Sequence, residues 1–299
     1  MNITSDNAYL RLHLGIFIAG GTGIFGRMIT LTEIPLVWYR MLIAAIVMAG
    51  IMFTSGRLHR LPLSHLAKIS CCGALLAIHW VLFYASIKAS NVSIAVVCIA
   101  LDGFFTAILD PLISHRRFSP RELLLSLITL GGILLIFGFD SRYRLGIVFG
   151  ILTSFFYALF SIYSKGIQLS TGHKSSTMLL YELISGWLLL TLCLPFYSLL
   201  YPNSSLTPST ADWFLLPVFG SLFTIGPFLL QLQALRCISA FTVNLSYNLE
   251  PLYSIVFALF IFDEGSELNR YFWLGVLFII LSVVLQTIYA RREGQGSCA

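Results

Sequence analysis

Asp102 and Glu250 are carboxylates set about eleven residues into long apolar runs, and at 1.5 Å of helical rise per residue that depth is near the middle of a bilayer. An ionised side chain there costs at least about 2.5–3.5 kcal/mol on insertion scales, so each must face the bundle interior or water. A carboxylate so placed can hold a cation or an ammonium group, exchange a proton, or make a hydrogen-bonded helix contact. Glu250 shares a helical face with Ser246, Tyr247, Tyr253 and Ser254, while Asn244 and Asn248 point to other sides of the same helix. A helix polar on several sides cannot face lipid. Pro251 removes a backbone hydrogen bond beside Glu250, which kinks the helix or frees a carbonyl for a ligand. Asp102 is accompanied on its face by Cys98, Phe105 and Thr106 and followed by Gly103, which permits close packing. Asp110, before Pro111, lies nearer the end of its run, where water reaches it and an interfacial role is expected.

Three further groups could do chemistry. His79 stands beside Trp80, and Trp80 and Tyr84 share a helical face, so the three suit a cation or a flat ring, or form a packed aromatic cluster with a satisfied histidine. Gln231 and Gln233, near Pro227, are uncharged groups able to orient a polar solute. Arg27 and Arg40 sit close enough to the ends of their runs to snorkel, yet Trp38-Tyr39-Arg40 could instead line an outer vestibule and attract a carboxylate. Glu182 is placed toward the opposite face, so no partnership with Arg40 is expected. Asp102, Glu250 and His79 together motivate an expectation of proton coupling.

The elements that must position these groups follow from composition. Of 299 residues, 58% are hydrophobic and 10% charged, and the mean hydropathy is +0.88. Water-soluble chains carry roughly 25% charged residues to solvate their surface, so most of this surface faces hydrocarbon. Apolar runs separated by polar breaks predict ten spanning helices at 9–31, 34–54, 65–87, 91–114, 121–138, 144–164, 174–200, 212–235, 239–262 and 270–290. The breaks at 57–63, 115–120, 140–144, 201–212 and 263–270 are too short to be domains. Residues 1–7 lack a basic region and the following run lacks a small-residue cleavage site, so the first helix is expected to be retained. Twelve Lys and Arg fall on the side of the N-terminus and four on the other, with Arg27 and Arg40 inside helices. The bias predicts both termini in the cytoplasm and a multi-pass protein of the plasma (cell inner) membrane. The net charge of +5 is therefore topological, and no nucleic-acid partner is expected. The cysteines at 71, 72, 98, 193, 237 and 298 form no C-x-x-C pair and read as small hydrophobes. Neither a metal, a cofactor nor a catalytic residue is expected: histidines 13, 59, 65, 79, 115 and 173 are scattered, and no G-x-x-x-x-G-K-[ST] loop is present to hold a nucleotide.

An internal repeat joins the two carboxylates. At an offset of 148 residues, Ile87-Lys88 answers Leu235-Arg236 and Leu101-Asp102 answers Leu249-Glu250; Leu14-Gly15 answers Leu145-Gly146 and Tyr39-Arg40 answers Tyr181-Glu182 at other offsets, in the same order. This predicts an all-α integral membrane protein of two repeats, 9–138 and 144–290, with tails at 1–8 and 291–299. Five helices per repeat is odd, so the second enters the membrane from the opposite side. Inverted repeats give two similar conformations open to opposite faces around a shared site.

Leu249-Glu250-Pro251, the later Asp263-Glu264 and Gly275, in that order, resemble the second half of a ten-helix member of the drug/metabolite transporter superfamily, built from two EamA-type domains. The first half departs from the pattern at Gly103, where the proline would stand, and at Arg116, where the acidic turn residue would, while Gly131, Gly132 and Gly138 keep a glycine-rich last helix. The resemblance implies a secondary transporter, not an enzyme, with a cavity formed by helices 1, 3, 4, 6, 8 and 9. It implies export of a small polar metabolite, an amino acid or related compound, by alternating access. Its expected partners are that solute and the bilayer, as a monomer or weak dimer. The candidate solute-binding set is Glu250, Asp102, Trp80, Tyr84, His79, Tyr247, Asn248, Asn244, Gln231 and Arg40. The rival readings are a flippase for lipids or lipid-linked precursors, a membrane-embedded enzyme and a channel.

Overall fold

The structure, a computed structural model, describes residues 5–58, 60–90, 92–137, 144–202, 204–254, 257 and 270–292. The expected acidic turn Asp263-Glu264 and Gly138 lie outside them. Every regular element described is helical: α1 (Ser5–Ala19), α2 (Thr22–Met28), α3 (Glu33–Thr54), α4 (Leu63–Ala89), α5 (Val92–Ile99), α6 (Leu101–Ile113), α7 (Pro120–Phe137), α8 (Arg144–Thr171), α9 (Ser175–Leu200), α10 (Thr210–Gly220), α11 (Gly226–Leu235), α12 (Ala240–Tyr247) and α13 (Arg270–Arg292). Residues 250–254 form a further helical turn. A π-helical turn, Ser221–Ile225, joins α10 to α11.

Local chemistry sets these limits. Pro120 opens α7, where its missing N–H costs nothing. At the start of α10 the Ser209 hydroxyl accepts from Asp212 N while the Asp212 carboxylate accepts from Ser209 N, satisfying two donors reciprocally. Gly172, at φ +69°, turns the chain out of α8 in a left-handed conformation that side chains resist.

Eight described stretches are long and apolar enough to cross a membrane: Asn7–Met28, Glu33–Thr54, Leu63–Ala89, Ile94–Ile113, Arg144–Thr171, Ser175–Leu200, Thr210–Leu235 and Trp273–Ala290. The two other expected spans, 121–138 and 239–262, begin in α7 and α12 and extend beyond the described residues. The outer surface is apolar, with Phe53, Leu192, Phe196, Leu199 and Phe214 exposed, whereas Thr153, Ser154, Ser161, Ser164 and Asn244 are fully buried. Without a hydrophobic drive between helices in lipid, small residues and interhelical hydrogen bonds hold the bundle. Gly132 and Gly275 bring α7 against α13: a Cβ on Gly132 would lie 2.8 Å from the Gly275 carbonyl oxygen.

The main pairings are α4 with α8 and α9, α1 with α11, α3 with α9 and α10, α6 with α8 and α12, and α7 with α13. Exchanging each of the first five expected spans for its counterpart among the last five expected turns α4–α8 into α11–α1 and α4–α9 into the contact between α10 and α3, and leaves α3–α9 and α7–α13 as they are. Two chain breaks obey the same relation. The fourth span is interrupted at Ala100 (φ −64°, ψ −10°) and the ninth at Asn248 (φ −63°, ψ −7°), 148 residues apart. Asn248 N bonds to Leu245 O and Leu249 N to Ser246 O, a tightened three-residue spacing. Asp102 and Glu250 each stand two residues past their break.

Candidate functional site

The breaks deliver both carboxylates to one cavity in the middle of the bundle, lined among others by Thr22, Arg40, His79, Trp80, Asp102, Tyr157, Tyr247 and Glu250. These come from the spans containing α2, α3, α4, α6, α8 and α12, so the site draws on both halves. About 40 Å³ of it is open to water-sized occupants, enough for a few waters.

Arg40 is the cation of the site. Sequence position suggested snorkelling or an outer vestibule; instead the side chain turns inward and is 2% exposed. Its Nε donates to Thr224 Oγ1 at 2.8 Å and its Nη1 to Tyr84 OH at 2.9 Å. The guanidinium carbon lies 3.9 Å from the Trp80 ring centroid and 4.4 Å from that of Phe219. The aromatic surface expected to receive a cation thus receives one of the protein's own, and the inward turn is stabilised by rings from two other spans. No described carboxylate is within ion-pairing distance, 4.0 Å, of Arg40.

The two carboxylates differ in setting. Asp102 is 1% exposed, and neither of its oxygens has a hydrogen-bond partner among the described residues. Glu250 is only partly buried, and its Oε1 accepts from Thr22 Oγ1 at 3.2 Å. Close helix approach fixes each. Against Asp102's span, a Cβ on Gly150 of α8 would sit 2.5 Å from Cys98 Cβ, and Ser154 Oγ donates to Cys98 O at 2.5 Å. Against Glu250's span, a Cβ on Gly20 would sit 2.5 Å from Tyr253 Cβ, and Ser254 Oγ donates to Gly20 O at 2.7 Å.

His79 Nδ1 donates to the Thr153 carbonyl at 3.1 Å, leaving Nε2 as the free ring nitrogen, and the ring packs on Tyr157 with centroids 4.6 Å apart. Of the candidate set, Glu250, Asp102, Trp80, His79, Tyr247 and Arg40 line the cavity. Tyr84 stands one hydrogen bond behind, through Arg40. Asn244 is turned away, its Nδ2 donating to Thr106 Oγ1 and Ser161 Oγ, both at 2.7 Å. Gln231 and Asn248 are buried with both amide atoms unpartnered, outside the lining. Gln233, the other glutamine of that helix, accepts from Arg11 Nη1 at 2.8 Å. Sequence reasoning passed over Thr22, Tyr157, Phe219 and Thr224. A polar residue within the glycine run Gly20-Gly21-Thr22-Gly23 was the available signal for the first.

Contacts tie the bundle at both ends. At one end the turn of residues 29–32 is held by Thr30 Oγ1 donating to Asp212 Oδ2 at 2.6 Å, by Tyr197 OH donating to Thr32 Oγ1 at 2.9 Å, and by Lys88 donating to Leu31 O. At the other, His65 Nδ1 and His173 Nε2 share a hydrogen bond of 2.9 Å, and Lys165 donates to Ile238 O.

Similarity to known proteins agrees with this architecture. One solved crystal structure superposes with a TM-score of 0.76 over 97% of this chain and 100% of that one, at 14% identity, which establishes a shared fold. A Bacillus subtilis (strain 168) protein named uncharacterized transporter YxxF is 23% identical, covering 98% of this chain and 92% of its own. The EamA-like transporter family matches residues 7–138 and 144–288. The chain is a multi-pass membrane transporter and belongs to the EamA-like transporter family.

Proposed function

We propose that the protein is a secondary transporter for a small zwitterionic metabolite, an amino acid or a close relative, bound in the central cavity and exported by alternating access. The observation that carries this reading is the convergence of one buried cation, Arg40, and two carboxylates, Asp102 and Glu250, on a single cavity. Opposite charges held apart in a low-dielectric site match a solute with both signs, and the oxygens of Asp102, without a partner among the described residues, need a donor to offset their burial. The exchange symmetry of the helix pairings and the matched breaks at Ala100 and Asn248 support two inverted repeats, 9–138 and 144–290, rocking about the site. With both ends tied, the described conformation resembles an occluded state, and releasing either tie opens one side. The distribution of Lys and Arg supports cytoplasmic termini and a plasma-membrane location. Asp102, Glu250 and His79 are the groups through which proton movement would be coupled.

The test is uptake of radiolabelled amino acids into proteoliposomes of the purified protein at several pH values. Saturable uptake, strongly reduced by Glu250→Gln and with an altered pH profile in that variant, is expected. Wild-type protein that moves none of the amino acids overturns the solute class, and unchanged pH dependence in Glu250→Gln overturns the coupling.

A further inference from the structure

We infer that the π turn Ser221–Ile225 makes Arg40 an edge-on receptor for the carboxylate of the solute, with Thr224 as the positioning residue that aims it; this rests on the transport function proposed above.

An α-helix directs each hydroxyl back toward the carbonyl three or four residues earlier. In the π turn Thr224 instead donates to Phe219 O, five residues back, at 2.8 Å. That commits the hydroxyl hydrogen to the backbone and leaves its oxygen as an acceptor, which Arg40 Nε occupies at 2.8 Å. Phe219, in α10 two residues before the turn, lays its ring 4.4 Å from the guanidinium carbon. The π turn thus supplies the acceptor for Nε, and the end of the helix it follows supplies an aromatic surface for the cation. The residue just before the turn is also held against the backbone of Arg40: a Cβ on Gly220 would lie 2.8 Å from Ile43 Cγ2 and 3.2 Å from Arg40 O. π turns recur at functional sites because they reorient side chains in this way.

The consequence is a guanidinium with a fixed plane. Trp80 and Phe219 cover its surface, Thr224 takes Nε and Tyr84 takes one Nη1 hydrogen. A guanidinium has five N–H donors, so the terminal edge keeps donors for a ligand in the cavity it lines. A planar carboxylate matches such an edge with two parallel hydrogen bonds. A phosphate monoester matches the fork as well but brings about two negative charges into a cavity that holds Asp102 and Glu250. A carboxylate whose molecule also carries an ammonium group suits all three charges. An amine or an amide lacks the anion and leaves the guanidinium edge unpaired.

The experiment is proteoliposome uptake of a radiolabelled mixture of the protein amino acids, with unlabelled amino acids, their amides and their decarboxylated amines as competitors. For wild type we expect amides and amines to compete at least about tenfold less well than amino acids, the ratio set by one charge-assisted pairing. Thr224→Val keeps the shape of the side chain and removes the acceptor for Nε. It is expected to raise KM for amino acids about tenfold with kcat little changed and to narrow the ratio to about threefold. Thr224→Ser, which retains the hydroxyl, is expected to keep the wild-type ratio. Equal competition by amides in wild type, or equal shifts for amino acids and amides in Thr224→Val, overturns the assignment. Absence of any saturable wild-type uptake overturns instead the amino-acid solute class on which it rests.

Discussion

Asp102 and Glu250 stand at repeat-related places, two residues past breaks of nearly identical geometry, and the span of each packs closely on a glycine of a partner span. Their surroundings nonetheless differ: Asp102 is buried, with no hydrogen-bond partner among the described residues, while Glu250 is only partly buried and hydrogen-bonded to Thr22. The duplicated backbone sets where a carboxylate stands, and the side chains around it set what it can do. The less buried one can meet a solute directly, whereas the other is held in the cavity lining at a cost in stability.

This contrast predicts opposite responses to the same chemical change. Glu250→Gln should lower kcat/KM for uptake about 100-fold, the loss of a charged contact worth about 3 kcal/mol, with little change in thermal stability in detergent. Asp102→Asn should raise thermal stability, since it replaces an unpaired buried carboxylate whose desolvation costs about 1–3 kcal/mol or more, and should reduce uptake less than Glu250→Gln. Equal effects of the two variants on both measurements would erase the distinction.

The glycine contacts sharpen it. Gly150→Ala drives a methyl to 2.5 Å from Cys98 Cβ, and Gly20→Ala drives one to the same distance from Tyr253 Cβ. Overpacking of this kind costs about 1–3 kcal/mol, so both variants should lose stability by similar amounts. Only Gly20→Ala, which pushes against the turn carrying the less buried carboxylate, should also raise KM. Smaller still, Thr22→Val removes the hydrogen bond that Glu250 accepts from Thr22, worth about 0.5–1.5 kcal/mol, and should shift KM severalfold without affecting the stability gain of Asp102→Asn.

Much of this arrangement was legible in the sequence, and the exceptions share a cause. Long apolar runs can only be spans in a chain this poor in charge, and a carboxylate in the middle of such a run must point inward, which is why Asp102, Glu250 and His79 were found. Arg40 was read as a residue that could snorkel because its run gives only its distance from a helix end. What draws it inward is Trp80 of the third span with Phe219 and Thr224 of the eighth, a meeting that periodicity along one helix does not express. The breaks were hidden for a different reason. Gly103 and Pro251 lie three residues beyond Ala100 and Asn248, so the punctuating residues marked the neighbourhood of each break and not its place. Asn244 illustrates the converse: a polar residue on the right helix is spent on Thr106 and Ser161, holding the sixth and fourth spans together with the ninth.

The same lesson of one place and two chemistries holds at the ends of the bundle. In each half the turn between the first two spans is tied to the start of the third span of the other half. One tie is Thr30 on Asp212 and the other is His173 on His65. Of these two ties, only the second joins two imidazole rings. Burial, followed by the nearby His65, pushes the His173 pKa below the ordinary histidine value of 6.5, so the folded contact favours a neutral ring. A depressed value means that the stability this contact contributes is complete above pH 6.5 and is lost as the pH falls below it toward the folded value. Thermal stability in detergent should therefore decline between neutral pH and mild acid, and His173→Asn should flatten part of that decline while Thr30→Val leaves it unchanged. The effect is expected to be the smallest of those named, because His173 remains partly exposed and water screens its interaction with His65. A decline of the same slope in wild type and His173→Asn would show that the two ties differ in composition alone.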